Sequence, residues 1–104
     1  MVYYIRSVES LLTEIRSDDQ LKSFLSGAGY LLNVDYPTRD MKLHRIECRY
    51  CNPSGSVGVK PSRKRLNNTG EFWYSDNRDE LDSKAEEIGH KRGFNYFLCK
   101  ICNP

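Results

Sequence analysis

The stretch MKLHRIECRYCNP, residues 41–53, decides how this chain is read. Its first half alternates imperfectly, Met41, Leu43 and Arg45 against Lys42, His44 and Ile46, and reads as a β-strand. Its second half is the frame C-x-x-C-N-P, Cys48 to Pro53, and the same frame returns at the end of the chain as Cys99 to Pro104. Two cysteines separated by two residues set both sulfurs on one side of a tight turn, where they reach a single ion with Zn–S bonds of about 2.3 Å. Two such turns supply four tetrahedral ligands. The paired frame therefore predicts a zinc knuckle of Cys48, Cys51, Cys99 and Cys102 around one structural Zn2+. The Asn-Pro after each pair suits a chain leaving a turn, because proline lacks an N–H and fixes φ.

Upstream of this stretch, YLLNVDY (30–36) reads as a strand broken by Pro37, and the turn PTRD makes a hairpin of the two. Downstream, SVGVK (56–60) and EFWYS (71–75) read as short strands. The polar, turn-rich PSRKRLNNTG between them reads as an exposed loop. SDNRDELDSKAEEIGHKRG (75–93) is the clearest helix. Ser75, Asp76 or Asn77 can cap it, Leu81, Ala85 and Ile88 form its apolar stripe, and Gly93 can close it. FNYFL (94–98) is an extended lead-in to Cys99.

The first third predicts two helices. Val8, Leu11, Leu12 and Ile15 recur at helical spacing. Ser17 with Gln20 then has the form of a capping box, opening a second helix that buries Leu21, Phe24 and Leu25 and stops at Gly27 or Gly29. The expected architecture is α+β: N-terminal helices (1–29), then a small antiparallel sheet with one packed helix and the four-cysteine zinc-knuckle site (30–104). With 104 residues, all of this belongs to one domain. A core of this size is modest and gains from a staple.

Composition narrows the function. Sixteen basic residues against fourteen acidic ones is near balance, so charge alone does not announce a nucleic-acid binder. No apolar run is long enough to span a membrane. The opening MVYYIRSVESLL lacks the parts of a secretory signal, so a cytoplasmic location with reduced cysteines is expected. That disfavours two disulfides. A redox C-x-x-C is disfavoured because both pairs follow strands and precede Asn-Pro, not a helix. Iron remains open, since sites of four thiolates accept it as well.

His44, four residues before Cys48, is an alternate ligand to Cys51; its plain reading is an ordinary strand histidine. A closed four-thiolate site leaves no open position for catalysis, and no phosphate loop, nucleophile elbow or H-E-x-x-H is present, so the chain reads as a non-enzyme with no small-molecule substrate.

The segments LHRIEC, GEFWYSDNRDELDSKAEEIG and GFNYFLCKICNP resemble the Ada-type metal-binding module of DNA alkylation-repair proteins, also found appended to some nucleases. The likeness covers residues 44–104. It matches His44, Cys48, Phe72-Trp73-Tyr74, the helix, Gly93-Phe94, Cys99, Cys102 and Pro104, and departs in the extra Cys51 and the insert Asn52 to Gly70. It implies a tetrahedral zinc, a hairpin-and-helix scaffold and a nucleic-acid partner. It does not imply methyl transfer, because the acceptor thiol of the repair proteins corresponds to His44. The repeated C-x-x-C-N-P favours Cys51 over His44. Lys60, Arg63, Lys64 and Arg65 beside Trp73 are the candidate nucleic-acid contacts, offering phosphate contacts next to a stacking surface. The functional expectation is a zinc-stabilised module that binds DNA or RNA, or serves a nuclease. The alternative is a zinc-stabilised regulator that docks on a larger protein.

Overall fold

The computed structural model describes residues 12–25, 27–48, 51 and 68–104. Along the chain these form β1 (Thr13–Ile15), α1 (Asp18–Leu25), β2 (Tyr30–Asp35), β3 (Asp40–Arg45), β4 (Gly70–Ser75), α2 (Arg78–Arg92) and β5 (Asn95–Leu98). The strands make one five-stranded sheet in the order β1-β4-β2-β3-β5. The expected strand at 56–60 and the basic loop residues Lys60, Arg63, Lys64 and Arg65 lie outside the described residues.

The hairpin between β2 and β3 forms as its sequence predicts, with Leu32 opposite Leu43 and Leu31 opposite His44. Adjacent residues of a strand face opposite ways, and here both faces are covered. Leu32, Val34, Met41 and Leu43 meet Leu81, Ala85 and Ile88 of α2. Leu31 belongs to a second cluster with Ile15, Leu21, Phe72, Tyr74, Cys48, Cys51 and Cys99. That is why YLLNV carries two consecutive leucines instead of strict alternation.

The all-antiparallel sheet is corrected. β2 runs against both β3 and β4, so those two strands point the same way. The fifteen-residue α2 then carries the chain back across the sheet, and β5 enters parallel to β3. Parallel strands require such a crossover, and the β4–α2–β5 order supplies it.

The helical N-terminal part is corrected too. Thr13–Ile15 is a strand on the edge of β4, with Thr13 opposite Tyr74, Glu14 opposite Trp73 and Ile15 opposite Phe72. β-branched Thr13 and Ile15 suit that ladder better than a helix, and ladder bonds with burial of Ile15 outweigh a weak helical stripe. The rest of the expected first helix, 8–11, lies outside the described residues.

α1 starts as its capping box predicts. Gln20 N–H donates to Ser17 Oγ at 3.1 Å, and Arg16 N–H donates to Gln20 Oε1 at 2.7 Å. It packs by Leu21 and by Phe24, whose ring stacks 4.0 Å from that of Tyr74. Gly29, at φ 139°, lets the chain pass Tyr74, since a Cβ there would lie 2.7 Å from the tyrosine oxygen. α2 is capped by Asn77, whose side chain accepts from Asp79 N–H, and closed by Gly93 at φ 71°. Among the described residues no helix is long and apolar enough to cross a membrane.

Candidate metal centre

The parallel pairing of β3 with β5 positions the site. Leu43 registers with Leu98, and Cys99 N–H continues the ladder by donating to the Leu43 carbonyl at 2.9 Å. His44 at the end of β3 thus comes beside Cys99 just past the end of β5. Two tight turns follow β3: Cys48 N–H donates to Arg45 O at 2.9 Å, and Cys51 N–H donates to Cys48 O at 2.8 Å. On the other side Asn103 N–H closes on Cys99 O at 3.0 Å, with Asn103 left-handed at φ 54°.

One donor atom from each of His44, Cys48, Cys99 and Cys102 lies within 4.8 Å of the others, close enough to hold one metal ion. A tetrahedron with metal–sulfur bonds near 2.3 Å has edges of about 3.8 Å, so the four need only a small contraction. The donor chemistry fits. His44 is 6% exposed, and its Nδ1 is, among the described residues, the buried side-chain polar atom with no hydrogen-bond partner. Buried polar atoms are nearly always satisfied, and coordination would satisfy this one. Burial, helped by the charge of Lys42, lowers the His44 pKa to about 4. The imidazole is therefore neutral near pH 7, as a metal ligand must be.

Burial pushes Cys102 up to about 12, with the neighbouring Cys48 and Cys99 adding to the rise. Burial acts the same way on Cys99, but the backbone N–H groups of Cys102 and Ile101 outweigh it and hold that thiol below its ordinary value. A bound cation would favour the thiolate form of its cysteine ligands. Backbone support continues at Cys102, whose Sγ accepts from Arg45 N–H at 3.2 Å.

Cys51 is buried next to this set but is not one of the four mutually close donors. Its Sγ–H donates to the Arg45 carbonyl at 3.4 Å, and burial with three neighbouring cysteines pushes its pKa well up. The structure therefore puts His44 where the repeated frame favours Cys51. The reason is register: β5 pairs alongside His44, whereas Cys51 sits a further turn beyond Cys48.

Sequence reasoning missed what ties down the tail. The Arg45 guanidinium donates to Cys102 O at 3.1 Å and to Asn103 O at 3.2 Å, and Arg78 donates to Pro104 O at 2.8 Å. Nothing around Arg45 in the sequence marks it, since its partners are 57 and 58 positions away. Also unforeseen is an open groove of about 880 Å³ beside the centre, lined in part by Asn33, Lys42, His44, Phe97, Lys100 and Ile101. Trp73 is placed elsewhere. It is half-buried on the α2 face, with Lys84 Nζ 4.2 Å over its ring and its indole N–H donating to Glu71.

Compared with known proteins, the chain matches no family model, no curated protein and no solved structure, so the Ada-type likeness rests on the quoted residues alone.

Proposed function

We propose that the protein is a zinc-stabilised, non-catalytic binding module whose partner is nucleic acid, serving either as the binder itself or as the accessory of a nuclease. The observation that carries the zinc reading is the convergence of His44, Cys48, Cys99 and Cys102 from two non-adjacent parts of the chain. Three soft thiolates with one imidazole suit a tetrahedral zinc, and four protein ligands leave no position for a reacting water. The nucleic-acid reading draws on the Ada-type likeness and on Lys60, Arg63, Lys64 and Arg65, four basic residues within six positions. With Trp73 turned to the α2 face, the bases would have to stack on another ring.

Elemental analysis with native mass should find one zinc per chain, removed by chelator. Mixed DNA and RNA should then shift in a salt-dependent way, and the shift should vanish when Arg63, Lys64 and Arg65 are changed to Ala. No shift at about 50 mM salt overturns the nucleic-acid reading. One observation favours docking on a larger protein instead: Phe97, Leu98 and Ile101 stand 50%, 43% and 59% exposed next to the metal centre. Under that reading Phe97→Ser with Ile101→Ser abolishes a stable pull-down while the loop variant does not.

A further inference from the structure

The metal centre has more donors than a tetrahedral ion can use. His44, Cys48, Cys99 and Cys102 form the close set, and Cys51 lies buried against them, 2% exposed, on the turn that begins at Cys48. Its sulfur donates to the Arg45 carbonyl at 3.4 Å and also meets the Cys48 thiol, both weak thiol contacts that cost little to rearrange. The His44 ring is likewise unsatisfied at Nδ1, which has no hydrogen-bond partner among the described residues. Cys48, Cys99 and Cys102 are common to any arrangement, so the remaining position can be filled from either side.

We infer that Cys51 is a fifth donor that shares the fourth coordination position with His44, the choice being set by the softness of the ion. The inference rests on the zinc reading and deepens it. For a borderline ion such as zinc, the neutral imidazole completes the set and keeps the buried charge lower than a fourth thiolate would. A softer divalent cation such as cadmium draws in the fourth sulfur. In that exchange the Cys51 thiol gives its proton to solvent, its sulfur bonds the ion, and the imidazole leaves as a neutral base. His44 lines the open groove beside the centre, so the released ring faces that groove. The identity of the bound ion is thereby communicated to the surface.

The test loads the full chain with Co2+ as an optical stand-in for zinc, and separately with Cd2+. The wild type should give a cobalt spectrum of three sulfurs and one nitrogen, and a cadmium–thiolate absorption of four sulfurs per ion. Cys51→Ser should leave the cobalt spectrum alone and remove about a quarter of the cadmium absorption, one thiolate of four. His44→Ala should keep one zinc per chain, and the double variant should lose it. Equal cadmium absorption in wild type and Cys51→Ser overturns the inference, and so does a four-sulfur cobalt spectrum in the wild type. The comparison of wild type with Cys51→Ser decides the matter even if His44→Ala fails to fold. A wild type that takes up no metal, behaving like Cys48→Ser, sinks the zinc reading itself and is distinguished by that.

Discussion

The two faces of the sheet do different work. Against α2 the molecule is stabilised by hydrocarbon: Leu32, Val34, Met41, Leu43 and Leu81 are all fully buried, and α2 carries both its caps. On the opposite face the leucines and aromatics run into a pocket of sulfur, and α1 is only eight residues long. The first face needs no ion to exclude water. The second gathers four thiols around His44, whose Nδ1 has no hydrogen-bond partner among the described residues, and a buried polar atom without a partner is costly. One sheet thus combines a core of hydrocarbon with a core that gathers four side chains close enough to hold one metal ion.

The sharpest way to break this contrast is to remove the proposed metal. Structural zinc is worth on the order of 10–16 kcal/mol of apparent binding free energy, comparable to the whole net stability of a domain. Chelation, or Cys99→Ser, should therefore lower the melting temperature more than any of the substitutions that follow. Amide exchange should show protection lost first at β5 and the two cysteine turns, and last in α2. If α2 and the turns lose protection together, the two faces are not separable. Next in size is Leu81→Ala, expected to cost about 2–5 kcal/mol by denaturant unfolding through a cavity under α2. It should leave the metal content of the folded protein unchanged.

Loss of the α2 cap, Asn77→Ala, should cost about 1 kcal/mol, again with no effect on metal uptake. The smallest effect concerns pH on the hydrocarbon face. Burial works against the ionised Glu71, but the hydroxyl of Tyr36 at 2.5 Å, the indole of Trp73 at 2.8 Å and Arg92 at 3.3 Å together hold its carboxyl below the usual range. A carboxylate depressed in the folded state adds stability above its unfolded pKa and loses it as pH falls through the folded value. Glu71→Gln should thus be slightly less stable than wild type at about pH 7, and the gap should narrow as pH falls through and below the ordinary carboxylate range. A gap that persists there assigns the effect to packing.

Legibility followed locality. The α2 caps Asn77 and Gly93, the stripe of Leu81, Ala85 and Ile88, and the Ser17–Gln20 box could all be read, because each depends on residues within a few positions of one another. β1 could not. Leu11, Leu12 and Ile15 mimic a helical stripe, and only the edge of β4, some sixty residues on, shows that Thr13 and Ile15 alternate instead. The parallel entry of β5 was implicit in the β4–α2–β5 order, but β5 is four residues with no pattern of its own. Arg45 likewise shows its role only in the bonds it makes to the tail.

By itself the sequence determined that the chain would carry two cysteine turns capable of meeting at one ion, and a capped helix with one apolar face. Both follow from spacing along a few consecutive residues, which backbone geometry turns directly into shape. Only the tertiary structure decided that β5 lies beside β3, which brings His44 into the sulfur cluster and leaves Cys51 at its flank. That outcome depends on strand register, and register is set by burial on both faces of the whole sheet, which no local stretch of sequence contains.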